Sequence, residues 1–127
     1  MSTIFQRRIT LGVVIGSRAF FSPAPCKAAR DDVLAQLAKL NIDAVILPYE
    51  ATANGAVQSI ADADLYAAHF KANADRIDGL VICLPNFGDE IAVAELVNRA
   101  RLNVPILLQA SNDEVSKVSV SERRDAF

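Results

Sequence analysis

The 127-residue chain has no tryptophan, a single histidine and two cysteines, and aromatic residues make up only 6% of it. Each shortage removes a class of function. Cys26 and Cys83 lie far apart, with no CxxC spacing and no histidine beside either, so neither a zinc site nor a redox dithiol is indicated. Both read as reduced, packed thiols. Cys26 falls near the start of a helix-like stretch, where a thiol pKa can be lowered, but no partner base can be named for it. His69 shares a helical face with Asp62, Asn73 and Arg76, which makes that face wet rather than catalytic. Phosphate-cradling glycine patterns are missing too: Gly12 and Gly16 both precede the first turn, and neither GxGxxG nor GxxxxGK[ST] occurs. The apolar run at residues 11–15 is far shorter than a signal-peptide core or a membrane span, so a cytoplasmic location is the expectation. An excess of positive charge is also lacking. The 13 basic and 15 acidic residues leave a net charge of −2, and pairs such as Arg7-Arg8 and Arg123-Arg124 stand alone. Phosphate backbones and anionic lipids need a clustered basic surface, so neither nucleic acid nor a membrane is expected as a partner.

What is present suits one compact domain. A chain of this length buries about two-thirds of the surface it would expose unfolded, enough to hold together without disulfides or metal. Hydrophobic residues are 52% of the sequence, and 21 alanines enrich it in small helix formers. Four short apolar runs, at residues 9–16, 44–47, 80–84 and 104–109, alternate with three helix-like stretches. The first of these, residues 26–41, spaces Val33, Leu34, Leu37, Ala38 and Leu40 helically; the second places Ala61, Leu65, Ala68 and Ala72 on one face; the third, residues 89–101, uses Val93, Leu96, Val97 and Ala100. Residues 49–58, with Gly55 and small side chains, read as a loop. Strand and helix in alternation mark a parallel sheet with crossover helices. Right-handed crossovers then favour a flavodoxin-like open sheet of order 2-1-3-4 in a three-layer α/β/α arrangement. Beyond residue 110 the pattern stops. Residues 111–127 are polar and supply no fourth helix, so the last strand is expected to be an edge that another chain covers, or the sequence is the front piece of a longer polypeptide.

Open α/β sheets bind ligands at the carboxyl ends of their strands, which directs attention to the turns there. Arg18 follows the first strand; a response-regulator domain would instead place metal-holding acidic residues at that turn. Its planar fork suits hydroxyls, a carboxylate or a phosphate, although a solvated or structural arginine explains it equally well. Leu84-Pro85-Asn86-Phe87-Gly88-Asp89-Glu90 ends the third strand and opens a helix. Asn86 or Asp89 can cap that helix, and Asp89 and Glu90 favour its positive end. The same segment offers hydrogen-bonding groups beside Phe87, a combination suited to a polyhydroxylated ligand with an apolar face. Spacing does not choose between these readings. Glu50, Gln109, Asn112 and Asp113 follow the second and fourth strands toward the same rim, where most polar residues are merely solvated.

Taken together, GSRAFF, CKAAR, DRIDGLVICLPNFGDE, VPILLQA and the closing ERRDAF resemble the N-terminal domain of L-fucose isomerase and L-arabinose isomerase-like sugar isomerases, from Leu11 to Phe127. LPNFGDE after a strand is the most specific element. The resemblance implies an aldose–ketose isomerase that works through an enediol with Mn2+ or a similar divalent cation, whose metal-binding Glu, Asp and His belong to later domains. It implies that residues 1–110 are the N-terminal α/β domain, that residues 111–127 lead to a following domain that this sequence lacks, and that this fragment holds no cofactor. It further implies a small-molecule sugar as ligand, a homo-oligomer, and substrate contacts at Arg18, Asn86, Phe87, Asp89 and Glu90, without a catalytic or metal-ligating residue. The competing expectation is a free-standing flavodoxin-like binding or interaction module. A self-contained enzyme is disfavoured, because the sequence shows neither a base and nucleophile pair nor a metal cluster.

Overall fold

A computed structural model describes residues 7–112. In chain order it contains β1 (Thr10–Ile15), α1 (Ala24–Lys39), β2 (Asp43–Val45), two single 3-10 turns (Tyr49–Ala51 and Ala53–Gly55), α2 (Ile60–Ala72), β3 (Gly79–Leu84), α3 (Glu90–Ala100) and β4 (Ile106–Ala110). The four strands form one parallel sheet in the order β2-β1-β3-β4, the arrangement expected from the alternation. Boundaries move by one or two residues. The largest changes are β4, which begins at Ile106, and the segment after β2, which winds through two short turns and then pairs Val57 with Gly16 as a one-residue extension of β1.

Two apolar layers sandwich the sheet. On one face Val14, Leu80 and Ile82 meet Tyr66 and Phe70 of α2 and Leu96 of α3; on the other Val13, Ile15, Val81 and Cys83 meet Cys26, Ala29 and Leu37 of α1. Strands buried on both faces carry continuous apolar runs, which is why β1 and β3 are nearly wholly apolar. Helix α2 corrects the sequence reading. Ala63, Tyr66, Ala67 and Phe70 are its buried residues, whereas Ala61, Leu65, Ala68 and Ala72 all face outward. Both sets have helical spacing; the one with two aromatic rings removes far more apolar area from water and takes the core. At the end of α1, Ala38 and the C-cap residue Leu40 are likewise exposed.

The helix starts are fixed by side chains. Ser59 accepts a hydrogen bond from the Asp62 amide at 3.2 Å, and Asp62 accepts one from the Gln58 amide at 2.9 Å. Asp89 accepts one from the Ala92 amide at 2.8 Å. The Ser59 and Asp89 bonds each satisfy a donor that the helix geometry leaves unpaired, and Asp62 reaches back to the amide before the cap. Among the described residues, strand β4 is an edge with no covering helix: Ile106, Leu107 and Leu108 are 46%, 63% and 61% exposed. Among the described residues no helix is long and apolar enough to cross a membrane. Residues 113–127, including Asp113, lie outside the described residues.

Candidate functional site

Three strand ends meet at one cleft of about 500 Å³. Arg18 enters from the turn after β1, the stretch from Leu84 to Gly88 from the turn after β3, Glu90 from the first turn of α3, and the stretch from Ala110 to Asn112 from the end of β4. The switch point of the 2-1-3-4 order lies between β1 and β3; the cleft takes in that point and continues over β4.

Sequence reasoning places Arg18 and the segment after β3 on neighbouring strands, and the structure joins them directly. Arg18 Nε donates to the Gly88 carbonyl at 3.2 Å, and its Nη2 donates to Glu90 Oε2. Nη1 takes part in neither bond. The pair sits in solvent, with side chains 43% and 74% exposed, so its worth lies in placing the guanidinium rather than in stability. The hydrogen bond from Arg18 holds the Glu90 carboxyl below the ordinary glutamate range, helped by a backbone donor and by the guanidinium charge. A depressed folded pKa adds stability above the unfolded value, and that contribution disappears as pH falls through the folded value. Carboxyl-carbon NMR titration should therefore find Glu90 titrating below a normal glutamate, and Arg18→Ala should move its midpoint upward. An unmoved midpoint would show that the pair does not form in solution.

Of the five candidate residues, Arg18, Asn86, Phe87 and Glu90 line the cleft. Asp89 does not, because its carboxylate caps α3. Asn86 is not a cap. Its side chain is buried and donates from Nδ2 to the Ser17 hydroxyl at 3.1 Å, and its Oδ1 has no partner among the described residues. That bond ties the turn after β3 to the turn after β1 inside the protein. Phe87 is half-exposed and lies 5.3 Å from the Phe21 ring, which in turn lies 4.3 Å from Phe20, forming an aromatic ledge beside the cleft.

Ser17 and Phe21 are site residues that the sequence reading passes over. Ser17 is fully buried and Phe21 packs on Phe87, but both partners lie more than 60 positions away, and no local pattern reports such contacts. The other rim candidates divide. Gln109 is turned into the sheet edge, accepting from the Cys83 thiol at 2.8 Å and donating to Ser111 Oγ at 3.1 Å. Asn112 lines the cleft, and Glu50 stands on the 3-10 turn after β2. Cys26 is a free, fully buried thiol, in keeping with the packed reading; burial pushes its pKa up, outweighing the Ser17 hydroxyl beside it, so the lowering that a helix start could give does not arise. His69 is half-buried on α2, where its carbonyl accepts from Asn73.

Among the described residues no group of three or more His, Cys, Asp or Glu is placed to hold a metal ion. The two carboxylates nearest the cleft are already engaged, Glu90 by Arg18 and Asp89 by the α3 amide, so these residues do not fit a catalytic divalent cation. The site can therefore hold and orient a polar ligand against an aromatic surface. No curated protein and no solved structure matches the chain at a significant level. One family does, described as the N-terminal domain of fucose/sulfoquinovose isomerase, and it aligns with residues 12–127, a span that includes every residue lining the cleft. The parallel 2-1-3-4 sheet and this match over most of its length identify the chain as a member of the fucose/sulfoquinovose isomerase N-terminal domain family.

Proposed function

We propose that this chain is the substrate-positioning domain of a cytoplasmic, homo-oligomeric aldose–ketose isomerase, supplying sugar contacts and subunit packing while other domains hold the cation. The observation that carries the reading is the cleft itself, where Arg18, Asn86, Phe87 and Glu90 meet at the carboxyl ends of β1 and β3. Arg18 offers N–H donors to sugar hydroxyls, and Glu90 Oε1 offers an acceptor. Phe87 gives the C–H face of a pyranose or open-chain sugar an apolar surface. Asp89 acts indirectly by fixing the start of α3. The exposed apolar side chains of β4 support packing against another subunit. Isomerisation through an enediol needs a base for a carbon-bound proton and a cation to polarise the carbonyl, and that chemistry lies outside the residues of this cleft.

Titration of the 15N-labelled chain with L-fucose and L-arabinose tests the proposal. Amide shifts should cluster at Arg18, at Phe87 to Glu90, and at Ser111 and Asn112. The same chain incubated with manganese and sugar should give no turnover. Shifts scattered over the surface, or turnover that survives repurification and disappears with chelator, would overturn it.

A further inference from the structure

Three side chains lead from the core layer beneath α1 to the β4 side of the cleft. Cys83 and Gln109 are register partners on the adjacent parallel strands β3 and β4, so their side chains leave the same face of the sheet about 5 Å apart. That face is the α1 layer, in which Cys83 is fully buried. Gln109 is the only polar residue of β4 and is half-buried, so its amide is partly withdrawn from water. It has two partners within the protein. Cys83 Sγ donates to Gln109 Oε1 at 2.8 Å, and Gln109 Nε2 donates to Ser111 Oγ at 3.1 Å. Ser111 follows two residues on, where the alternation of an extended chain returns a side chain to the same side.

This run of bonds has a polarity. A side-chain amide has one accepting end and one donating end, and a thiol proton at the carbonyl end leaves the N–H end facing Ser111. The serine oxygen therefore accepts, and its own proton has no acceptor among the described residues. Ser111 is half-exposed and lines the cleft on the side that β4 contributes, whereas Arg18 enters from the turn after β1, with β3 between them. We propose that Ser111 is a further hydrogen-bond donor to the sugar, and that Gln109, oriented by Cys83, is the positioning residue that keeps the hydroxyl proton available to ligand. Without the amide the hydroxyl is free to turn its proton toward the main chain, as serine commonly does. The inference rests on the sugar-positioning reading of the cleft and adds a demand on the ligand: it must carry an accepting oxygen, hydroxyl or carbonyl, toward the β4 side as well as toward Arg18.

Amide-shift titration of the 15N-labelled chain with L-fucose reads the affinities. Ser111→Ala should raise Kd about three- to tenfold, the scale of one neutral hydrogen bond. Gln109→Leu, close in size at a half-buried position, should raise it nearly as much, although Gln109 does not line the cleft. The double variant should bind no more weakly than Ser111→Ala alone, because the amide acts only through the hydroxyl. Raman spectroscopy reads the other end of the run: of the S–H bands from Cys26 and Cys83, one should move to higher frequency in Gln109→Leu as the thiol loses the Gln109 acceptor. Unchanged affinity in either single variant, losses that multiply in the double variant, or S–H bands that do not move would each overturn this proposal while leaving sugar binding intact. A wild-type chain that gives no shifts with the sugar would overturn the proposed function and the role of Ser111 with it.

Discussion

Replacing Arg18 by alanine in the assembled isomerase should lower kcat/KM by roughly tenfold to a hundredfold, the scale of one or two charge-assisted hydrogen bonds at about 1.5–3 kcal/mol. Cation affinity should not move, because among the described residues no group is placed to hold a metal. The structure adds a reason beyond direct contact. Arg18 bonds both the Gly88 carbonyl and Glu90, so its loss also releases the segment that carries Phe87. Lysine keeps the charge but lacks the planar fork that reaches both partners, and Arg18→Lys should recover only part of the loss. Glu90→Gln separates the two effects, since it removes the charge of the partner while leaving Arg18 bonded to Gly88. Wild-type kcat/KM in Arg18→Ala would remove the sugar role and leave these residues as a helix cap and a surface pair.

The second large effect is on stability. Phe70→Ala should cost about 3–5 kcal/mol, a large part of the roughly 5–15 kcal/mol that holds a domain of this kind together. Phe70 is fully buried, lies edge-on to Tyr66 at 5.7 Å between ring centroids, and packs against Gly12 and the sheet beneath α2. Truncation leaves a cavity in the larger of the two core layers. Leu65→Ala on the same helix is the control: its side chain is 50% exposed, so its cost should stay within about 0.5 kcal/mol. Denaturant unfolding of both variants reads the difference. Equal costs would mean that α2 is rotated from the orientation seen here.

That comparison also shows what the sequence discloses and what it does not. β1 and β3 are legible because strands covered on both faces must be apolar throughout, and the strand order follows from short right-handed connections. The core face of α2 is not legible, because alanines surround the helix and two apolar stripes fit the helical period equally well. Only the sheet decides which stripe is inside. At the site, the proximity of Arg18 to the segment after β3 can be read from strand order. The separate roles of Asn86 and Asp89 cannot, since both are competent caps by chemistry. Burial of Asn86 against Ser17 depends on the depth at which the two turns pack, which no spacing encodes.

One close contact at the rim constrains how such a domain can change over evolutionary time. A methyl group added at Gly16 would sit 2.7 Å from Leu84 Cδ2, and one added at Gly88 would sit 2.6 Å from the same atom. Either glycine can become alanine only if that Leu84 methyl moves aside or is lost. The two substitutions are therefore not independent. Whichever comes first displaces the leucine, and the second then enters space already vacated at lower cost. Positions 16, 84 and 88 form one epistatic unit, and because they frame the turns that carry Arg18 and Glu90, drift at any one of them reshapes the cleft while Arg18, Phe87 and Glu90 stay unchanged.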